Sequence, residues 1–117
     1  MNLDKIKHEL PENANNDAFG TLVSIVVPVF NHVQFVRQCI ESVIAQDYDC
    51  IELIIIDDGS TDDSVAVIES LLPACRERFV RFEFRSRPNK GLAATLNEAL
   101  HWAEGEYFSA LASDDVL

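Results

Sequence analysis

Residues 51–63 constrain the fold of this chain more than any other segment. They begin with an apolar run in which isoleucine fills four of the six positions from 51 to 56, and the run ends at Asp57, Asp58 and Gly59. A run this rich in β-branched residues is typical of a strand covered on both faces, and such strands belong to parallel sheets flanked by helices. Ligands of these sheets bind at the carboxyl ends of the strands, so we expect the acidic turn to lie at a ligand-binding edge.

Helix-like and strand-like patterns alternate along the chain from residue 22. Apolar residues recur every three or four positions in residues 32–46, 61–76 and 92–104, which predicts three amphipathic helices. Apolar or alternating runs at residues 22–30, 51–56, 79–85 and 107–112 predict four strands. This order predicts a doubly wound α/β fold, with a mostly parallel sheet of about four strands flanked by helices and connected by right-handed crossovers.

Local signals predict where the elements begin and end. Pro28 closes the first strand because proline cannot donate to a sheet ladder, and Asn31 is the expected N-cap of the first helix. Ser60 and Asp63 form a capping-box variant before the second helix, and Pro73 limits or kinks its last turns. Alternation in residues 79–85 predicts a strand at a sheet edge, followed by a basic loop at 85–91. The residues predicted to face inward are Val33, Val36, Cys39, Ile40, Val43 and Ile44, then Val65, Ile68, Leu71, Leu72 and Cys75, then Val80, Phe82 and Phe84, and finally Leu92, Leu96, Ala99, Leu100 and Ala103.

Composition narrows the functional classes. The 117 residues carry a formal charge of −11, with an isoelectric point near 4.4, which disfavours generic binding to nucleic acid. We expect no membrane span, because no apolar stretch approaches the roughly 20 residues that one requires. Cys39, Cys50 and Cys75 show no CxxC spacing and are interpreted as reduced core residues, so a cytoplasmic location is expected. Residues 1–21 are interpreted as a polar lead-in with a short helix near residues 3–10.

Four polar segments follow the carboxyl ends of predicted strands. They are residues 28–31, 57–60, 85–91 and 113–115, and a parallel sheet would bring them to one rim. For Asp57 and Asp58, helix capping competes with a ligand role, which is favoured because a carboxylate at the end of a buried strand is costly to desolvate without a partner. For Asp114 and Asp115, a turn or N-cap competes on even terms with a hard-cation site.

The remaining polar residues have simpler interpretations. Arg85, Arg87 and Lys90 either place positive charge beside an anionic ligand or form a solvated loop. Gly91 permits close approach of a ligand to the backbone, a weak signal in the absence of a longer glycine motif. His8, His32 and His101 lack metal-ligand spacing and are interpreted as structural or surface residues.

Taken in order, several motifs resemble one enzyme family. They are residues 23–31 (VSIVVPVFN), residues 52–62 (ELIIIDDGSTD), residues 89–91 with Ala94 and Asn97, residues 105–108 (GEYF), and residues 113–115 (SDD). The chain from about residue 22 to 117 is similar to the nucleotide-binding half of family 2 inverting glycosyltransferases, which have the GT-A fold. The fold expected from the resemblance is therefore the Rossmann-like, donor-binding part of a GT-A domain.

The resemblance implies a nucleotide-diphosphate-sugar donor, with a UDP-sugar favoured, and a divalent metal, Mg²⁺ or Mn²⁺, that offsets charge on the leaving group. It places Asp58 on the nucleoside base and makes Asp114, helped by Asp115, the metal ligand. The full set of implied nucleotide-binding residues is Pro28, Val29, Phe30, Asn31, Asp57, Asp58, Arg87, Asn89, Lys90, Gly91, Ser113 and Asp114.

Two features depart from the family pattern. Ala112 stands where the first acid of the DxD motif is usual, and the chain ends at Leu117, before the region that carries the acceptor site and the catalytic base in the family. We therefore expect residues 22–117 to be a truncated domain that is inactive alone, with no catalytic base among its residues. We also expect self-association through an apolar face left exposed.

Two other functions compete with this one. One is a non-catalytic nucleotide-binding or interaction module that retains the fold, which Ala112 favours. The other is a magnesium-binding domain of the phosphoryl-receiver type, which would need its acid pair after the first strand and an acceptor aspartate after the third. The sequence has Val29 and Phe30 after the first strand and basic residues after the third, so it fits neither requirement.

Overall fold

A computed structural model describes residues 20–117, so most of the predicted lead-in, including the short helix near residues 3–10, lies outside the described residues. Strands and helices alternate throughout the described part of the chain. The elements are β1 (Val23–Val29), α1 (Val36–Ile44), β2 (Ile51–Asp58), α2 (Ser64–Arg78), β3 (Arg81–Arg87), α3 (Leu92–Trp102) and β4 (Tyr107–Ala110). No helix among residues 20–117 is long and apolar enough to cross a bilayer.

The four strands form one parallel sheet in the order β3-β2-β1-β4. In the register, Val23 of β1 pairs with Ile51 of β2 on one side and with Tyr107 of β4 on the other. All eight residues of β2 are buried, as predicted from its isoleucine-rich sequence. The predicted α/β class, the parallel sheet and the edge position of the third strand are confirmed.

Helices cover both faces of the sheet. On one face α1 and α2 pack against the odd-numbered residues of β1 and β2, around Ile25, Leu53 and Ile68. On the other face α3 packs through Ala99 against the even-numbered residues, including Ile54. Because successive strand residues point to opposite faces, β2 supplies apolar side chains to both layers.

The carboxylates of β2 hold the two ends of α3. Glu52 and Asp58 lie on the same sheet face as Ile54 and Ile56, one at each end of the strand. An oxygen of Asp58 accepts a hydrogen bond from the backbone N–H of Gly91, just before α3, at 3.1 Å. Glu52 Oε1 accepts one from the N–H of Glu104, just after α3, at 2.9 Å. These two acids therefore fix where the helix starts and ends over the sheet.

Glu52 is the centre of a buried polar network far from the carboxyl edge. Its Oε1 also accepts a hydrogen bond from the Ser24 hydroxyl at 2.6 Å, and its Oε2 accepts one from Arg81 Nε at 2.8 Å. Burial raises the pKa of Glu52, but the hydrogen bonds from Ser24, Arg81 and the Glu104 backbone outweigh it, and the pKa lies below its ordinary value. Nothing in the local sequence around Glu52 indicates this role.

Several local predictions were wrong at element boundaries. Asn31 does not cap α1, which starts at Val36 without a side-chain cap, because the Asn31 side chain binds the loop after β2 instead. Ser60 and Asp63 form no capping box, since the Ser60 hydroxyl accepts from the N–H of Asn31 and Asp63 makes no cap bond. β1 continues one residue past Pro28, and α2 accommodates Pro73 within its length.

Predictions on β3 and α3 were also wrong in part. β3 runs to Arg87, so three of the seven residues of the predicted basic loop are strand, and Val80 is exposed because it precedes the strand. Leu92 and Leu100 are 61% and 56% exposed, since the face of α3 that meets the sheet is centred on Thr95 and Ala99. Self-association stays a prediction; the large apolar side chains exposed in residues 20–117 are Phe30, Phe35, Val80, Leu92, Leu100, Phe108 and Val116.

Candidate functional site

A cavity of about 420 Å³ opens at the carboxyl edge of the sheet. The segments after β1, β3 and β4 contribute to it, and β2 contributes its last residue, Asp58, so the carboxyl ends of all four strands converge on one edge as predicted from the sequence. Its lining residues are Pro28, Val29, Phe30, His32, Asp58, Asn89, Gly91, Leu92, Thr95, Ala112 and Ser113. This is the position at which parallel α/β sheets bind ligands.

The lining includes some of the predicted nucleotide-binding residues, lacks others, and contains residues that were not predicted. Seven of the predicted residues line the cavity: Pro28, Val29, Phe30, Asp58, Asn89, Gly91 and Ser113. Five lie outside its lining: Asn31, Asp57, Arg87, Lys90 and Asp114. Four lining residues were not predicted, namely His32, Leu92, Thr95 and Ala112. Leu92 and Thr95 were missed because the helical pattern of α3 assigned the wrong face to the core.

Asp58 is buried and holds the loop between β3 and α3. One of its carboxylate oxygens accepts hydrogen bonds from the guanidinium of Arg87 and from the N–H of Lys90, the latter at 2.7 Å. The Asp58 carbonyl oxygen accepts one from the Asn89 amide at 2.9 Å. Burial raises the pKa of Asp58, but the bonds from Lys90, Arg87 and Gly91 and the charge of Arg87 outweigh it, so the pKa lies below its ordinary value. Asp58 is therefore a charged clamp on this loop as well as part of the cavity wall.

Arg87 is directed into the protein. Besides Asp58, its guanidinium donates to Glu98 at 2.7 Å and to the Thr95 hydroxyl at 2.8 Å. Burial alone would lower the pKa of Arg87, but the two carboxylates raise it above its ordinary value. Arg85 lies on Trp102, with 3.8 Å between its guanidinium carbon and the ring centroid. Of the basic side chains predicted beside the ligand, these two are thus already engaged by protein groups.

Asp57 points to the opposite face of the sheet from Asp58. It is fully buried, and its Oδ2 accepts hydrogen bonds from the N–H of Ser60 at 3.0 Å and from the Ser86 hydroxyl at 3.2 Å. Its Oδ1 has no hydrogen-bond partner within residues 20–117. Strand alternation thus separates two acids that are adjacent in sequence, and in this structure Asp57 stabilises the turn at residues 57–60.

The loops after β1 and β2 are joined by hydrogen bonds. Asn31, at a φ of 52°, accepts from the N–H of Thr61 at 2.8 Å through its side-chain oxygen. The N–H of His32 donates to the Ser64 hydroxyl at 3.1 Å, and the N–H of Val33 donates to Asp62 at 3.1 Å. Asparagine tolerates this left-handed conformation better than most residues do. The two loops therefore form one rigid wall beside the cavity.

The segment after β4 carries the remaining acids. Ser113 is buried, and its hydroxyl shares a hydrogen bond of 2.5 Å with Nδ1 of His32, whereas Asp114 and Asp115 are exposed. Burial raises the pKa of the Cys39 thiol to about 12, and the negative charges of Asp115 and Asp114 contribute to the rise. Residues 20–117 contain no cluster of three side chains able to hold a metal. Two carboxylates in an electronegative turn nevertheless fit Mg²⁺ or Mn²⁺, which take one or two protein carboxylates and complete their shell with water and phosphate oxygens.

Gly59 permits the close approach of the loop that Asp58 holds. It has a φ of 79°, and a Cβ there would lie 2.6 Å from the backbone nitrogen of Asn89. We expect Gly59→Ala to lower the free energy of unfolding, because it adds a backbone clash to the cost of about 1–2 kcal/mol for a left-handed alanine. Gly91→Ala is the control for a positive φ without a clash: Gly91 has a φ of 94° and a ψ of 162°, a conformation at least as costly for alanine, but nothing lies within 4 Å of a Cβ there. Urea unfolding should show Gly59→Ala as the less stable variant by about 1 kcal/mol or more; equal stabilities would contradict the clash.

Comparison with known proteins places this chain among glycosyltransferases. An uncharacterized glycosyltransferase of Haemophilus influenzae is 41% identical over 96 residues, which are 82% of this chain and 37% of that protein. Chondroitin synthase of Pasteurella multocida is 36% identical over 96 residues, which are 82% of this chain and 10% of that protein. The chain thus spans well under half the length of these relatives.

Solved structures agree on the fold. TarS 1–349 of S. aureus, solved in complex with UDP-GlcNAc, has a TM-score of 0.70 and 26% identity, with 81% of this chain and 27% of that chain covered. The mannosyltransferase PcManGT of Pyrobaculum calidifontis, solved with GDP-Man and Mn²⁺, has a TM-score of 0.75, with 96% of this chain and 33% of that chain covered; its 22% identity shows likeness of fold alone. The architecture is thus the Rossmann-like GT-A fold. The family model described as glycosyl transferase family 2 matches residues 24–117, and the chain therefore belongs to that family.

Proposed function

We propose that residues 22–117 form the donor-binding part of a glycosyltransferase, and that the cavity at the carboxyl edge of the sheet holds the nucleoside diphosphate of a nucleotide-sugar. The observation that carries this proposal is the convergence on one cavity of the segments after β1, β3 and β4 with Asp58 at the end of β2, and the Asp114–Asp115 turn directly follows the lining residue Ser113. The likeness to TarS, which was solved with UDP-GlcNAc, supports a UDP-sugar as the donor.

The wall of the cavity is suited to a nucleoside. Pro28, Val29 and Phe30 provide an apolar surface at the end of β1, and Leu92 provides another at the start of α3. Asp58, which has a charged carboxylate, lies in the same lining and is the residue that we assign to the base. A mostly apolar pocket with a few fixed polar groups is typical of small-molecule sites.

Asp114 and Asp115 are the proposed ligands of a divalent metal, Mg²⁺ or Mn²⁺. These carboxylates would hold the ion, and its positive charge would offset charge on the leaving group. Every other part of the proposed site acts by binding and orientation: the joined loops after β1 and β2 form one wall, and the loop held by Asp58 forms the other. The inverting course of the transfer rests on the family resemblance.

A second candidate is a nucleotide-binding module without catalytic activity. The observations that favour it are Ala112, at the position where an acid is usual in the family, and the absence of a three-residue metal cluster within residues 20–117. The two candidates share the nucleotide site and differ in the role of the metal. Metal-dependent binding of a nucleoside diphosphate therefore separates them.

Titration calorimetry with UDP and GDP, each with and without Mn²⁺, tests the proposal. We expect UDP to bind the chain and Mn²⁺ to strengthen binding, because the ion would join the diphosphate to the Asp114 carboxylate. Asp114→Ala should reduce the affinity to the metal-free level and leave metal-free binding intact. Asp49→Ala, an exposed acid before β2 at the opposite edge of the sheet, is the control of equal charge change and should bind like the wild type.

The possible outcomes separate the hypotheses clearly. Absence of heat with either nucleotide, with or without Mn²⁺, would rule out a donor site in this chain. If the wild type bound nucleotide with the same affinity with and without Mn²⁺, the non-catalytic module would be favoured. If Asp114→Ala weakened metal-free and metal-dependent binding equally, the assignment of Asp114 to the metal would be wrong.

A further inference from the structure

His32 connects the loop after β1 to two other segments, although its sequence context gave no role for it. Its backbone N–H donates to Ser64 at the start of α2, and its ring reaches Ser113 after β4. The ring also lines the cavity. The residue therefore joins the wall after β1 to the segment that carries the proposed metal ligands.

Hydrogen bonds hold the backbone at His32 and at the residue before it. Its carbonyl oxygen accepts hydrogen bonds from the N–H groups of Phe35 and Val36, each at 2.9 Å, at the beginning of α1. The preceding residue, Asn31, is bonded to Ser60 and Thr61. The fixed backbone places the ring, and the edge contact with Phe35 and the hydrogen bond to Ser113 set its orientation, so the ring can fix the position of a partner.

Ser113 is the partner that His32 fixes. It is 1% exposed, its hydroxyl shares the 2.5 Å hydrogen bond with Nδ1 of His32, and it directly precedes Asp114 and Asp115. The N–H of Asp115 donates to the carbonyl of Ala112 at 2.9 Å, which closes a tight turn around Ser113. The buried Ser113 is therefore the anchor of a turn whose two carboxylates are exposed.

We propose that His32 is a positioning residue, which through Ser113 orients the Asp114–Asp115 turn for a divalent metal and the diphosphate; this inference rests on the proposed function of the cavity. Exposed carboxylates lose conformational freedom when they bind an ion, and a turn ordered beforehand loses less. Groups that orient metal ligands without touching the metal typically change metal affinity by about 10–100-fold when they are replaced.

Three variants test the role of the His32 ring. His32→Ala removes the hydrogen bond to Ser113. His32→Asn keeps a polar atom on Cγ, where Nδ1 is attached in histidine, and can retain the bond. His101→Ala, an exposed histidine in the last turn of α3, is the control for loss of a ring elsewhere. The readouts are the affinity for UDP with and without Mn²⁺ by calorimetry, the affinity for Mn²⁺ by electron paramagnetic resonance, and the amide resonances of Asp114 and Asp115 by NMR.

We expect His32→Ala to weaken Mn²⁺ binding in the absence of nucleotide by about tenfold, and to weaken UDP binding more with Mn²⁺ than without it. Because the ring also lines the cavity, a smaller loss of metal-free UDP binding should accompany this effect. His32→Asn should recover most of this loss, and His101→Ala should show none of it. In the ligand-free protein the amide resonances of Asp114 and Asp115 should shift in His32→Ala and not in His101→Ala. If the ring had only a structural role, His32→Ala would lower the melting temperature and would weaken UDP binding equally with and without Mn²⁺.

Ser113→Ala completes a double-mutant cycle with His32→Ala. If the two residues act through their shared hydrogen bond, the double variant should lose no more Mn²⁺ affinity than either single variant. Additive losses, or an equal loss of metal-free UDP binding in His32→Ala, would overturn the inference while leaving the proposed function standing. If the wild type binds no nucleotide under any condition, the proposed function fails and this inference fails with it.

Discussion

Replacing Asp58 by alanine is expected to lower the free energy of unfolding by about 3–5 kcal/mol and to abolish nucleotide binding. The carboxylate is buried and is the common acceptor for the Arg87 guanidinium and for the N–H groups of Lys90 and Gly91. Its removal leaves the largely buried Arg87 with Glu98 as its remaining carboxylate partner and leaves two backbone donors without an acceptor. The total stability of a domain is typically only about 5–15 kcal/mol, so this variant should be close to unfolding.

The effect on binding follows from the same contacts. The loop from residue 88 to 91 supplies Asn89 and Gly91 to the cavity, and Asp58 holds its backbone. Without the clamp, the cavity loses one wall as well as the carboxylate that we assign to the base. Binding should therefore fall both with and without Mn²⁺, in contrast to Asp114→Ala, which should affect the metal-dependent part alone.

Urea unfolding and calorimetry on the same preparations check this result. Asp63→Ala is the control, because Asp63 is an exposed acid that precedes α2 and makes no cap bond. Asp58→Asn adds a variant of nearly equal volume, which should also be destabilised, because an amide presents an NH₂ group to donors that need an acceptor. A stable Asp58→Ala protein that retains its affinity for UDP would contradict both roles of this residue.

Replacing Glu52 by alanine is expected to lower the free energy of unfolding by about 2–4 kcal/mol without changing the affinity of the folded protein for nucleotide. The loss arises because the Ser24 hydroxyl and the Glu104 N–H lose their shared acceptor. Arg81 contributes less, because its side chain is half exposed and stays near Glu104, 3.2 Å away. Binding should be unaffected, since Glu52 lies six residues before Asp58, about 20 Å along β2.

Glu52→Gln and Glu83→Ala make this prediction specific. The glutamine keeps the oxygen that Ser24 and Glu104 use but turns an NH₂ group towards Arg81, so we expect a loss of about 1–2 kcal/mol. Glu83 pairs with Arg85 on the exposed side of β3, and its loss should cost less than about 0.5 kcal/mol. A Glu52→Ala protein as stable as Glu83→Ala would show that the buried network contributes nothing.

The contribution of Glu52 should also depend on pH. Its pKa is lower in the folded protein than in the unfolded chain, so the unfolded chain binds the proton more readily. The stability that ionised Glu52 contributes is therefore complete above its unfolded pKa, about 4.3, and is lost as the pH falls through the lower folded pKa. The difference in unfolding free energy between wild type and Glu52→Gln should be constant near neutral pH and shrink below about pH 4. An unchanged difference down to pH 3 would contradict the assignment.

The sequence allowed prediction of the sheet and of the edge where the site lies. The isoleucine-rich run of β2 can bury its side chains on both faces only between two layers of helices. The alternation of strands with amphipathic helices along the chain then predicts a parallel sheet. Polar residues after each strand then meet at one edge by geometry alone. These predictions depend on the spacing of apolar residues along the chain, which can be read within each segment without knowledge of distant contacts.

Prediction failed where a residue's role depends on a partner far away in sequence. The local sequence around Asn31 and Ser60 is typical of helix caps. Each instead forms a hydrogen bond with the loop that contains the other, between residues 29 or more positions apart. His32 looks like an isolated histidine, and its partner Ser113 is 81 positions away. Leu92 and Leu100 fit a helical stripe, but the register of α3 against β2 is set by Asp58 and Glu52 at its two ends.

The acid pair at the end of β2 shows most clearly which features follow from local sequence and which depend on distant partners. The position of Asp57 and Asp58 at the end of a buried strand, on the ligand edge of a parallel sheet, can be predicted from the local sequence, because β-branched residues and the turn after them encode it. Their different tasks depend on how β2 packs in the folded chain. Strand alternation sends the two carboxylates to opposite faces, where Asp57 meets Ser60 and Ser86 while Asp58 meets Arg87 and the loop before α3. A hydrogen-bond partner is fixed by how the elements pack, and that information is spread over the whole chain rather than held in any one segment of it.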